Sequence, residues 1–262
     1  MTKTILITGS TDGIGLLAAK KLAAEGHTVL LHGRNQQKLE KAAVEVGAKA
    51  DTHSADLSDV NDVKALAAAI EEKHKKLDVL INNAGVLKAP NPILENGLDI
   101  RFMVNTFAPY ILTQMLLPII PKDGRVVNLS SAAQASVDPS ALLGKIKLDE
   151  MSAYAQSKLA ITIWTREWAK ELAEGPVMVA VNPGSLLASK MVKEGFGVEG
   201  KDLSIGADIL VDAALGQQFA DASGTYFDND SGQFADPHPS ALNAQHVKAV
   251  MDVIHTFARD KA

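Results

Sequence analysis

The chain opens Thr4-Ile5-Leu6-Ile7-Thr8-Gly9-Ser10-Thr11-Asp12-Gly13-Ile14-Gly15 and runs on as Leu16-Leu17-Ala18-Ala19-Lys20-Lys21-Leu22-Ala23-Ala24. A short β-branched apolar run meets three glycines, and a helical pattern follows over Ile14–Ala24. Glycines placed directly after a strand permit a tight turn and close approach of a pyrophosphate. The helix start behind them offers free N–H groups and the positive end of its dipole. The spacing here is G-x3-G-x-G, not G-x-G-x-x-G. A plain strand–helix turn would also use glycines, but the strand–loop–helix context favours a dinucleotide site. Its candidate contacts are Gly9, Ser10, Thr11, Gly13, Ile14 and Gly15.

The same alternation recurs along the chain. Strands are predicted at Thr4–Ile7, Thr28–His32, Ala48–His53, Val79–Ile81, Arg125–Leu129, Val177–Val181 and Thr225–Phe227. Helices are predicted at Ile14–Ala24, Gln36–Glu45, Val60–His74, Leu98–Leu117, Ala153–Leu172, Ile205–Phe219 and Ala241–Phe257. Gly26 suits a left-handed helix stop, and Ser58 reads as the N-cap of the helix at 60–74. Strands that alternate with helices imply parallel pairing through right-handed crossovers. Near-continuous apolar strands such as Ile5-Leu6-Ile7 imply a sheet covered on both faces. The predicted fold is α/β: a doubly wound (Rossmann) parallel sheet of about seven strands, with residues 1–262 as a single domain.

Composition excludes several other classes. The 262 residues carry a formal net charge of −5, which gives no bulk attraction for nucleic acid or anionic membrane. Cysteine is absent, removing disulfides, thiolate nucleophiles and Cys-ligated zinc, and the expectation is a cytoplasmic protein. No signal peptide or membrane span is expected, because Tyr110–Ile120 is short and interrupted by Thr113, Gln114 and Pro118. No two of the seven histidines sit at i, i+3 or i, i+4 on a helix, so no metal site is expected. Asp228-Asn229-Asp230 lacks calcium-loop spacing and reads as a turn. Lys73–Lys76 reads as a solvated helix end.

Further cofactor contacts follow the later strands. The second strand ends His32-Gly33-Arg34, where an acidic residue would meet a free ribose 2′-hydroxyl. Gly33 has no carboxylate, and the Arg34 guanidinium can bind a 2′-phosphate, so NADP is favoured over NAD. Asp12 in the glycine loop opposes this unless it caps the following helix. Asp56-Leu57 follow the third strand, with Asp56 a candidate acceptor for the adenine amino group; a loop aspartate is the alternative. Asn82-Asn83-Ala84-Gly85 follow the fourth, where small residues let backbone approach the cofactor.

At the ends of later strands stand groups suited to proton transfer. Ser131 closes the fifth strand, and Tyr154 and Lys158 share one helix face at i, i+4. No G-x-S-x-G elbow surrounds Ser131, which argues against a hydrolase. Together with Thr8-Gly9-x3-Gly13-Ile14-Gly15, Asn82-Asn83-Ala84-Gly85, Asn105 and Pro183-Gly184, these residues make the chain resemble the short-chain dehydrogenase/reductase family over residues 4 to about 190. The resemblance implies an NAD(P)-dependent oxidoreductase with Asn105, Ser131, Tyr154 and Lys158 as its catalytic group. Tyr154 would exchange a proton with the carbonyl oxygen of a small-molecule carbonyl or alcohol substrate, and Ser131 would polarise that oxygen. Lys158 would also hold the nicotinamide ribose, and Asn105 would anchor a water. Lowering a phenol by about three pH units needs about 4 kcal/mol. A cation about 5 Å away supplies on the order of 3 kcal/mol at an effective dielectric near 20.

Two departures from the family stand out. Ala188 replaces the threonine common four residues after Gly184, with Ser189 next to it. Ser131 and Tyr154 lie 23 positions apart, a longer separation similar to the subgroup of retinol dehydrogenases and protochlorophyllide reductases, which implies a bulky or apolar substrate. Residues 185–203, with Gly195, Gly197 and Gly200 among apolar neighbours such as Met191 and Phe196, read as a substrate lid. The faces carrying Trp164 and Trp168 suit either a homodimer or homotetramer contact or a core. An NADP-binding regulator without turnover is the alternative function, although the Tyr/Lys pair is intact.

Overall fold

Thr4–Ile7 forms β1, and the rest of the sheet is laid out from it. The computed structural model describes all residues except Ala48, Lys49, Lys190, Val192, 194–196 and Ala262. The remaining strands are β2 (Thr28–Gly33), β3 (Ala50–Ser54), β4 (Val79–Asn82), β5 (Arg125–Leu129), β6 (Val177–Asn182), β7 (Tyr226–Asp228) and β8 (Gln233–Ala235). They form one sheet in the order β3-β2-β1-β4-β5-β6-β7-β8. All pairings are parallel except β7 with β8. The order reverses between β1 and β4, so their carboxyl ends flank the crevice where open α/β sheets bind ligands.

The helices are α1 (Gly13–Ala24), α2 (Gln36–Val46), α3 (Val60–Lys73), α4 (Ile100–Ile119), α5 (Pro139–Leu142), α6 (Glu150–Glu171), α7 (Leu203–Leu215) and α8 (Ala244–Lys261). Alternation along β1 splits the core into two layers. Ile5 and Ile7 pack with Ala18, Leu22, Leu39 and Leu210, under α1, α2 and α7. Leu6 faces the other way, with Leu66, Phe107, Trp164 and Val250 from α3, α4, α6 and α8. Aspartates cap most helix starts: Asp12, Asp59, Asp99, Asp138, Asp149 and Asp202 each accept from a first-turn N–H. A cap of this kind contributes about 1 kcal/mol. Asp12 therefore serves α1, which removes the objection to a phosphate near Arg34.

The eighth strand goes beyond the expected seven. It is a three-residue antiparallel edge, too short to leave an apolar run in the sequence. Asp59, not Ser58, caps α3; Ser58 instead donates to Asp56. The caps Asp99, Asp149 and Asp202 move three helix starts relative to the apolar periodicity. The expected third strand included Ala48, which lies outside the described residues. Gly26 does take the left-handed conformation, at φ 91°.

By length and composition, α4 is apolar enough to cross a membrane, contrary to the reading of Tyr110–Ile120, but most of its window is buried inside the fold. Tyr110 stands edge-on to Trp164 at 5.6 Å and lies 4.6 Å from Trp168, and Phe107 stacks on Phe257 of α8 at 4.0 Å. Such aromatic pairs add about 0.5–1.5 kcal/mol beyond area burial. Both tryptophans are core residues of this chain, covered by α8.

Candidate active site

The glycine loop is built by contacts between the ends of β1, β2 and β4. Thr8 Oγ1 accepts from the N–H groups of Asn83 (3.0 Å) and Ala84 (3.1 Å). Asn83 Nδ2 donates to the carbonyls of Thr8 (2.8 Å) and Gly9 (2.9 Å). Two glycines are forced by these approaches. A Cβ on Gly9, whose φ is 65°, would lie 2.9 Å from Ala84 Cα, and one on Gly15 would lie 2.5 Å from Asn83 Nδ2. Ile14 packs on α7, where a Cβ on Gly206 would come within 2.8 Å of its Cγ2. Gly13 begins α1.

His32 is a site residue that sequence reasoning missed. Its Nδ1 accepts from the Gly9 N–H at 3.1 Å, and its Nε2 lies 3.1 Å from the Ala55 carbonyl. Those partners place the proton on Nε2 and keep the ring neutral. Burial pushes its pKa down to about 4. Its backbone also exchanges hydrogen bonds with buried Ser10. The signal was its place next to the end of the second strand, 23 residues after Gly9.

Thr11 closes over Gly33: a Cβ there would meet Thr11 Cγ2 at 2.6 Å. An acidic side chain therefore has no room at that position while Thr11 stays in place. Arg34 follows, exposed. Asp56 Oδ1 accepts from the Ser58 N–H and hydroxyl, so this carboxylate organises the loop before α3, and Leu57 beside it is buried.

On the other side of the crevice, Asn105 sits inside a π-helical turn, Met103–Phe107, within α4. Such wide turns recur at functional sites. Its side chain bonds to protein on both ends: Oδ1 accepts from the Val86 N–H (2.8 Å), and Nδ2 donates to the Val86 carbonyl and Ser157 Oγ. It therefore pins the loop after Gly85 to Ser157 of α6. A Cβ on Gly85 would lie 3.5 Å from Lys158 Nζ and 3.6 Å from Asn105 Oδ1, so these three positions converge.

Lys158 is buried, donates to the Leu129 carbonyl at 2.8 Å and lies 5.6 Å from the Tyr154 ring centroid. Burial lowers its pKa to about 8. Tyr154 is half-buried, and that burial raises its pKa against the opposing hydrogen bond with Ser131. The expected lowering by Lys158 is thus not seen; desolvation outweighs the hydrogen bond with Ser131. Ser131 lies beside the phenol, while Ser130 is structural, bonded to the Lys158 carbonyl and Thr162. Tyr226 and Gln134 both donate to the Ser131 carbonyl and fix its backbone.

Gly184 has φ 120°, and its N–H is held by Asn182 Oδ1; Asn229 donates to the Pro183 carbonyl. Asp230 accepts from Ser185, so the Asp228-Asn229-Asp230 turn positions this loop. The expected lid at 185–203 includes Lys190, Val192 and 194–196, which lie outside the described residues. Its two ends are joined through Ala188 N–H to Lys201 O and Lys201 N–H to Leu186 O. Leu186 has φ 55°, a strained value for a leucine. Leu143, Ile146 and Met151, in the stretch of chain before Tyr154, and Leu186 and Val198, in the stretch after Gly184, are exposed apolar side chains.

Comparison with known proteins shows the family. The profile of the short chain dehydrogenase family matches residues 3–196. Human retinol dehydrogenase 13 is 32% identical over 258 residues, spanning 86% of this chain and 76% of its own. Among solved structures, an uncharacterised protein of Mycobacterium paratuberculosis aligns with a TM-score of 0.81 at 26% identity, over 98% of this chain and 93% of its own. A short-chain dehydrogenase of Escherichia coli CFT073, solved with NADPH, aligns with a TM-score of 0.72 at 28% identity, over 87% of this chain and 96% of its own.

Proposed function

The chain belongs to the short-chain dehydrogenase family, an oxidoreductase of CH–OH and carbonyl groups, and on that premise we propose that it uses NADP to interconvert an apolar alcohol and its aldehyde or ketone. The observation that carries this reading is the convergence of Ser131, Tyr154, Lys158 and Gly85 beside the glycine loop at the carboxyl ends of β1, β4 and β5.

The residues fit a nicotinamide dinucleotide. Gly9 and Gly15 leave backbone exposed where side chains would clash, and the N-terminus of α1 faces the loop. Lys158 has three ammonium hydrogens and one protein acceptor among the described residues, which suits a ribose diol. Arg34 and the Thr11-filled space at Gly33 support a 2′-phosphate over a free 2′-hydroxyl. A bound nicotinamide supplies or accepts the hydride.

Tyr154 carries the proton. In reduction the phenol must start protonated, which its raised pKa ensures at neutral pH, and it donates to the carbonyl oxygen. Ser131 holds that oxygen by a hydrogen bond. Lys158, charged below about pH 8, stabilises the phenolate left behind. In oxidation the same phenolate takes the hydroxyl proton. The exposed apolar residues in the chain segments before Tyr154 and after Gly184 support an apolar substrate, as do the retinol dehydrogenases among the relatives. The test is NADPH oxidation against retinal, long-chain aldehydes and ketones, beside an NADPH-binding titration. Turnover on apolar carbonyls is the expected result; tight binding with no turnover on any of them would favour a silent regulator.

A further inference from the structure

At the outer edge of the sheet, a second cluster lies apart from the reacting groups. Asp51 and His53 stand two residues apart on β3, on one face of the strand, and His74 is the C-terminal cap of α3. Their ligating atoms all lie within 4.8 Å of one another. Asp51 Oδ2 is 3.3 Å from His53 Nε2 and 3.0 Å from His74 Nε2. Pairs of ligands on a tetrahedral zinc ion, with bonds of about 2.0–2.1 Å, are separated by about 3.3–3.4 Å. The two distances to Asp51 are thus near those a bound ion would impose.

A second observation is independent of this spacing. His53 Nε2 is buried and makes no hydrogen bond among the described residues, although it points at the Asp51 carboxylate. Buried polar atoms are almost always paired, so an orphan facing two other ligands calls for a partner. His74 and Asp51 keep 17% and 19% side-chain exposure, which leaves an entry path for an ion. We propose that Asp51, His53 and His74 form a binding site for a zinc-class divalent cation, with three protein ligands and solvent in the fourth position.

The ion takes the Nε2 lone pairs of two neutral imidazoles and one carboxylate oxygen. Lys73 opposes binding: its ammonium lies 2.7 Å from Asp51 Oδ1, on the other carboxylate oxygen, and its side chain is 60% exposed. It can swing into solvent. Of the other nearby lysines, Lys76 is held by Asp78. An occupied site would staple the edge strand β3 to the end of α3, which no spacing on a single helix could reveal.

The test uses the full, untagged chain. Co2+ titration should give the ligand-field absorption of a four-coordinate site at one equivalent, displaced by Zn2+. Zn2+ should raise the melting temperature of the wild type. His74→Gln and Asp51→Asn should each weaken Zn2+ at least tenfold by calorimetry, whereas Lys73→Gln should tighten it about tenfold by removing a like charge. His238→Gln should leave binding unchanged. Binding equal in wild type, His74→Gln and Asp51→Asn, or no saturable binding, would overturn the proposal. His74 is far enough exposed that its variant should fold, which a circular dichroism melt verifies.

Discussion

Replacing Lys158 by methionine removes a buried ammonium while keeping its length. In the unfolded chain this lysine has a pKa of 10.5, and in the fold burial lowers it to about 8. At 1.36 kcal/mol per pH unit, that gap amounts to about 3 kcal/mol of destabilisation. Between the two values the unfolded state binds more protons, so stability rises with pH across the window from about 8 to 10.5. Below about pH 8 the whole penalty is present. Linkage then gives a recovery of about 2 kcal/mol between pH 7 and pH 9.5. The assay is urea denaturation of the cofactor-free wild type and Lys158→Met at several values in that range. Subtracting the variant cancels every other titrating group. The wild type should gain about 2 kcal/mol relative to the variant over the interval. A difference that stays constant with pH would mean that Lys158 is not buried as an ammonium, and the reasoning about its charge would fail.

Other consequences follow from the same site. The kcat/KM for carbonyl reduction should hold level through neutral pH, where phenol and ammonium are both protonated, and fall as pH rises past about 8 and Lys158 loses its charge; steady-state rates across pH 6–10 check this. Arg34→Glu should weaken NADPH about 10- to 100-fold, the value of one charge-assisted contact, and leave NADH nearly unchanged in a fluorescence titration. His32→Leu removes the acceptor for the Gly9 N–H and should weaken NADPH about tenfold while lowering stability by about 1–3 kcal/mol, read by titration and chemical denaturation.

Local patterns made most of the architecture readable. The β1 run Ile5-Leu6-Ile7 and the glycines after it announced both the sheet and its crevice, because a buried parallel strand and a tight turn each constrain residue type at short range. Tyr154 and Lys158 were readable together because one helix turn brings them to one face. What stayed hidden depends on contacts across the chain. His32 acts on Gly9 only because β2 pairs with β1. The engagement of Asn105 depends on a π turn that has no sequence mark. Asp51, His53 and His74 meet only when α3 packs beside β3. The edge strand β8 and the aspartate-defined helix starts escaped for a related reason: a three-residue strand has no periodicity, and a cap is a single atom's choice of partner.

Single-turnover stopped-flow with Tyr154→Phe, NADPH and an apolar aldehyde bears most directly on the proton-transfer account. NADPH should bind the variant within about twofold of wild type while hydride transfer slows at least a thousandfold, in line with loss of a proton donor. Transfer at a near wild-type rate in that variant would contradict it.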